Sequence, residues 1–93
     1  MFTIPRVNVI QSSDGYSVEV LGRVGLLYTE GSKSVHVNSE AVGGSFGVSI
    51  YKSSLKTWNP PCDKEVIDES KRNAIVENIR NAFRFRGYEI EVF

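Results

Sequence analysis

Between Asp68 and Arg86 the apolar residues Ala74, Ile75, Ile79, Ala82 and Phe83 recur at steps of three and four. That spacing lines side chains up as one stripe along an α-helix. Asp68 and Glu69 stand at the start of the segment and Arg80, Arg84 and Arg86 towards its end, so both ends complement the helix dipole. Gly87 follows as a C-terminal cap. At 1.5 Å per residue such a helix runs about 28 Å, enough to cross one face of a small sheet. A chain with one long one-sided helix must supply a layer for the stripe to cover.

The residues ahead of the helix supply it. From Val7 to Tyr51 short β-type runs alternate with turn residues, the pattern of an antiparallel meander. The candidate strands are Val7 to Ile10, Tyr16 to Leu21, Leu26 to Glu30, Ser34 to Asn38 and Phe46 to Tyr51. The breaks are Ser12 to Gly15, Gly22 to Gly25, Gly31 to Lys33 and Val42 to Ser45. The Gly22 to Gly25 break reads either as a turn or as a bulge in one bent strand. After the helix, Tyr88 to Phe93 alternates again and reads as a final strand. The expected fold is therefore α+β, one domain over residues 1–93, with the helix packed on one face of an antiparallel sheet.

A three-residue loop at Gly31-Ser32-Lys33 would pair Glu30 with Ser34, Tyr28 with His36 and Leu27 with Val37. By the two-residue period of a strand, Leu27, Thr29, Val35 and Val37 then share the covered face with Val18, Val20, Val48 and Ile50. Glu19, Tyr28, Glu30, His36, Tyr51, Glu89 and Glu91 fall on the open one. Acidic residues interleaved with tyrosine suit recognition of a basic protein, because charge steers encounter and tyrosine adds contact area at low entropic cost. The expected partner-binding residues are Tyr28, His36, Tyr51, Trp58, Glu89 and Glu91. Trp58, beside Pro60 and Pro61, has two uses open to it: a packing residue that closes one end of the core, or a projecting aromatic of the kind found at interface hot spots.

Other chemistry finds little support. Cys62 and His36 are the only cysteine and histidine, too few for a zinc set without carboxylates and lacking any ligand-spaced motif. As a nucleophile and base they show no signature, so no catalytic residue, metal or cofactor is expected. Gly43, Gly44 and Gly47 lack the strand-loop-helix setting, with a following lysine and hydroxyl, that phosphate cradling requires. Eleven Lys and Arg balance eleven Asp and Glu, which argues against holding nucleic acid by overall charge. Arg80, Arg84 and Arg86, near Phe83 and Phe85, form the alternative nucleic-acid surface. The longest apolar stretch is a few residues, far short of the roughly 20 that span a bilayer. With no signal-peptide order at Met1 to Arg6, a cytoplasmic location is expected. Near-neutral charge and a strand at Tyr88 to Phe93 leave a homo-oligomer open as well.

The succession Gly47-Val48-Ser49-Ile50-Tyr51, Trp58-Asn59-Pro60-Pro61, Ile67, the helix Arg72 to Phe85 and Gly87-Tyr88-Glu89-Ile90-Glu91-Val92 resembles a family of small bacterial immunity proteins. Such proteins are encoded beside polymorphic toxins and neutralise them by direct binding. The likeness is good over the C-terminal half and looser over the N-terminal strands. It implies a cytoplasmic, non-enzymatic protein whose partner is a cognate toxin, and it carries over no functional residues.

Overall fold

A computed structural model describes residues 1–22, 25–41 and 46–93, the side chains of Ala41 and Phe46 excepted. Strands β1 (Phe2–Arg6), β2 (Val9–Ser12), β3 (Tyr16–Val20), β4 (Leu26–Glu30) and β5 (Lys33–Val37) form a five-stranded antiparallel meander in sequence order. Strands β6 (Ser39–Ala41), β7 (Phe46–Ile50) and β8 (Glu89–Val92) form a second, three-stranded sheet. Between β7 and β8 come a 3-10 turn at Lys52–Ser54, an extended connector and the helix α1 (Glu69–Phe85). The fold is α+β as expected. The division into two sheets is new, and so is the parallel pairing of β8 with β7. Parallel neighbours need a long crossover, and the segment holding α1 provides it.

The caps of α1 form as its sequence dictates. The Asp68 carboxylate accepts from Lys71 N–H at 2.7 Å, meeting one of the unpaired donors of the first turn. At the other end Gly87, at φ +86°, donates its N–H to Arg84 O at 3.0 Å, and Tyr88 N–H donates to Phe83 O at 3.0 Å. These two bonds are a Schellman motif, which needs the left-handed backbone that glycine adopts without strain. The buried stripe is Ile75, Val76, Ile79, Ala82 and Phe83. Ala74, expected in the stripe, is exposed. At about 100° per residue it lies roughly 140° from the centre of that stripe, against about 60° for Val76.

The β4–β5 hairpin corrects the expected register. The loop is the two-residue Gly31-Ser32, with Gly31 at φ +60°, the glycine-first signature of a type II′ turn whose twist suits paired strands. Glu30 therefore pairs with Lys33, Tyr28 with Val35 and Leu26 with Val37. A slip of one residue exchanges the two faces of a strand. Leu26, Tyr28, Val35 and Val37 point into the core, and Leu27, Thr29 and His36 lie on the far side. Val20 and Leu26 pair antiparallel across the Gly22 to Gly25 break, of which Arg23 and Val24 lie outside the described residues. The Val42 to Ser45 break lies outside them altogether.

One hydrophobic cluster joins both sheets to α1 and the connector. It contains Val18, Leu26, Tyr28, Val37, Val48, Ile50, Leu55, Trp58, Ile67, Ile75, Ile79 and Ile90 among others. β7 passes α1 closely at Gly47, where an added Cβ would sit 3.0 Å from Phe83 Cδ1 and 3.2 Å from Tyr88 Cβ. In the connector, Asn59 N–H donates to Ser34 O at 2.7 Å and Asn59 Nδ2 to Ser34 Oγ at 3.2 Å. These bonds hold the connector along β5 and seat Trp58 in the core, 3% exposed. Of its two open uses, packing is the one realised. Trp58→Ala is expected to lower the unfolding free energy by about 3 to 5 kcal/mol through lost burial and the cavity left behind. Urea unfolding at an unchanged slope measures this, and a loss below about 1 kcal/mol would show that the ring does not close the core.

Candidate partner-binding face

The outer face of the small sheet is built by strand alternation. Val48, Ile50 and Ile90 point into the core, with Val92 packed against it, so the residues between them point out. Glu40 on β6 pairs with Ser49 on β7, and Ser49 pairs with Glu91 on β8. Two glutamates thus flank a central serine in one row, about 10 Å apart across two strand spacings. Ser49 itself is 7% exposed.

Two residues further along the strands, Tyr51 and Phe93 stack with centroids 5.8 Å apart and planes at 27°. Phe93 is 62% exposed. Loss of solvent pushes the Tyr51 hydroxyl above its ordinary pKa, and the charge of Glu40 and the hydrogen bond shared with it add to that. The phenol is therefore neutral over the physiological range. Among the described residues neither Glu40 nor Glu91 takes part in an ion pair. A rigid aromatic pair beside two uncompensated carboxylates can accept cationic groups, the ring faces adding cation–π attraction.

Of the expected partner-binding residues, the structure brings Tyr51 and Glu91 together on this face. Glu89 stands at the start of the same strand, where Arg84 Nε donates to both of its oxygens at 3.2 Å. His36 lies on the outer face of the other sheet. Its ring sits over Gly25, where an added Cβ would be 2.9 Å from His36 Cε1 and Nε2. Trp58 is in the core, and so is Tyr28, which is fully buried. The expectation that Tyr28 faces solvent is overturned by the two-residue hairpin loop. Glu40 and Phe93 were not expected here. Glu40 sits in a three-residue strand too short to show alternation, whereas Phe93 continues the visible alternation of Glu89 and Glu91.

The arginines of the alternative surface are engaged within the chain. Arg84 holds Glu89, Arg86 Nη1 donates to Val7 O at 3.1 Å, and Arg80 Nη1 lies 3.7 Å from Glu77 Oε1. Among the described residues no group of three His, Cys, Asp or Glu is placed to hold a metal ion. No helix is long and apolar enough to cross a membrane.

Tyr28 instead ties α1 to β4. Its hydroxyl donates to Glu30 Oε1 at 2.8 Å and accepts from Asn78 Nδ2 at 2.8 Å, while Lys71 Nζ donates to Glu30 Oε2. Burial acts to raise the Glu30 carboxyl, yet the hydrogen bonds from Lys71 and Tyr28 and the Lys71 charge bring it below its ordinary value. Burial pushes the Tyr28 phenol well up. The Asn78 hydrogen bond opposes that rise, and the Glu30 acceptor and its charge reinforce it. The folded phenol then keeps its proton at pH values where the unfolded one has lost it. This contribution to stability is complete below a pH of about 10 and falls as pH rises beyond it. Tyr28→Phe is expected to cost about 1 to 3 kcal/mol at neutral pH, because Asn78 and Glu30 each lose a partner. It is also expected to flatten the decline above a pH of about 10, leaving the parts due to Tyr16, Tyr51 and Lys33, whose pKa values are raised too. Urea midpoints measured across that range test both effects, and an unaltered alkaline slope would contradict the assignment.

Residues 18–93 match the family model described as immunity protein 74. The match begins within β3, takes in β4 and β5, which the C-terminal resemblance covered only loosely, and leaves β1 and β2 outside it. No curated protein and no solved structure matches the chain.

Proposed function

The chain belongs to the immunity protein 74 family, and from that premise we propose that it is a non-catalytic, cytoplasmic protein that neutralises a cognate bacterial toxin by direct association. The 93 residues act as one folded unit around one core cluster. The observation supporting direct binding is the row Glu40, Ser49, Glu91 beside the Tyr51–Phe93 stack. Acidic groups outside any internal ion pair favour a basic surface, the kind a nuclease or other polyanion-directed toxin presents. Tyr51 and Phe93 supply contact area that is already ordered, so little side-chain entropy is lost on docking. A nucleic-acid-associated role through Arg80, Arg84 and Arg86 has less support, because Arg84 is paired with Glu89, Arg80 lies beside Glu77, and only Arg86 of the three has no carboxylate partner.

The test uses the polypeptide encoded by the gene beside this one, carried as an inactive variant. Co-purification is expected, with Tyr51→Ala and Glu91→Lys each weakening the complex about tenfold or more while leaving the unfolding midpoint nearly unchanged. The Glu91→Lys effect should shrink as salt is raised. A stable complex indifferent to both substitutions would move the site elsewhere, and the absence of any complex would remove the function itself.

A further inference from the structure

The second sheet ends at β8, and its hydrogen-bonding pattern fixes which backbone groups of that strand are used. Phe93 N–H donates to Ile50 O at 2.9 Å, and Phe93 O accepts from Lys52 N–H at 2.8 Å. In a strand, consecutive residues turn their N–H and C=O groups to opposite sides. Glu89 and Glu91 therefore also face β7, while the N–H and C=O groups of Ile90 and Val92 face away from it. Among the described residues the sheet order places no strand on that side. Tyr88, 43% exposed, and Phe93, 62% exposed, flank the two ends of this edge.

The outer strands of the five-stranded sheet treat their edges differently. β1 contains Pro5, which has no N–H, and its register shifts between Thr3 and Arg6; both features spoil pairing. β5 has its Ser34 carbonyl occupied by Asn59. β8 has no proline and no such side-chain cap, and its register with β7 shifts only between Phe46 and Val48, being regular from Ile90 to Val92.

Charge decides what this edge receives. If a second copy paired antiparallel so that both Ile90 and Val92 were satisfied in both chains, Ile90 would face Val92 of its partner copy. Glu91 would then stand directly opposite Glu91, and like charges in that position oppose pairing. A strand carrying lysine or arginine opposite Glu91 would be attracted instead. Its alternate residues, continuing the covered face of Ile90 and Val92, would have to be apolar.

We propose that the open edge of β8 receives an extended strand of the toxin, apolar and basic at alternate positions, which continues the small sheet to a fourth strand. This rests on the immunity reading above and adds its mode of attachment. Main-chain bonds to Ile90 and Val92 give affinity, and the Glu91 carboxylate selects the basic side chain, the division of labour of strand-addition recognition.

The experiment measures amide hydrogen exchange by NMR on the full chain, free and bound to the inactive polypeptide of the adjacent gene. In the free protein Ile90 and Val92 amides are expected to exchange fast while Glu91 and Phe93 amides are protected. In the complex, exchange at Ile90 and Val92 should slow by about 100-fold or more. Val92→Pro deletes one outward N–H without touching the ladder to β7, and should weaken binding about tenfold or more, whereas Val92→Thr should not. If Val92→Pro does not fold, the exchange data on the unsubstituted chain decide alone. A complex in which Ile90 and Val92 exchange as they do in the free protein overturns the edge and leaves the immunity reading standing. Protection of these two amides in the free chain, accompanied by a dimer in light scattering, overturns it in favour of a second copy. Failure to form any complex overturns the immunity reading and this inference with it.

Discussion

One helix has to cover two sheets, and a buried phenol determines how it lies. Tyr28 is fully enclosed between β4 and α1, where a hydroxyl without partners would be costly. Asn78 from the helix and Glu30 from the strand supply those partners, and Lys71, nearly two turns before Asn78, neutralises Glu30. This chain of bonds sets the rotation and height of α1 over the five-stranded sheet. The same rotation carries Phe83 and the cap at Gly87 past β7, whose Gly47 leaves room for the close approach. The small sheet is thereby held against the end of the helix, its inner face sealed and its outer face open.

The parts legible in the sequence were those set by local chemistry. The period of α1, its acidic start at Asp68 and its Gly87 terminator all act within a few residues, and each formed where the spacing put it. Six strands were legible for the same reason, to within about two residues, whereas β1 and β6 were not expected. Register was not, because a loop of two residues and one of three suit Gly31-Ser32-Lys33 equally well in sequence. What separates them is whether Leu26 or Leu27 enters the core, which is a tertiary outcome. That slip carried Tyr28 from the expected recognition face into the interior. Alternation alone could not reveal the parallel pairing of β8, since a strand looks the same whichever way its neighbour runs. Asn78 was illegible too, because an asparagine on a helix gains meaning only from the buried hydroxyl opposite.

The molecule's zero formal charge conceals an uneven distribution of uncompensated groups. Arg6 faces Glu19, Lys71 holds Glu30, Lys33 holds Glu65, Arg84 holds Glu89 and Arg80 lies by Glu77. Exposed pairs of this kind contribute little to stability. Among the described residues Glu40 and Glu91 are outside every one of these pairs, as are Lys52, Lys56, Lys64, Arg72 and Arg86. The strands of the small sheet hold Glu40, Glu89 and Glu91 and no lysine or arginine, so that sheet is locally acidic although the chain as a whole is balanced, and the local potential governs encounter with a partner.

The crossover through α1 gives that acidic face its second property. A strand joined to its neighbour by a tight hairpin can be continued by further hairpins, as the five-stranded meander shows. A strand reached by crossover arrives parallel and, as the outermost member of its sheet, leaves alternate backbone groups unused. An unguarded edge invites self-association unless something opposes it. Pro5 and Asn59 guard the meander by covalent and hydrogen-bonding means, but β8 has only the charge of Glu91. Charge is the one form of protection that discriminates, since it repels a copy of itself and attracts its opposite. The carboxylate that keeps two copies of this chain apart is thus the group best placed to admit a basic strand from another protein.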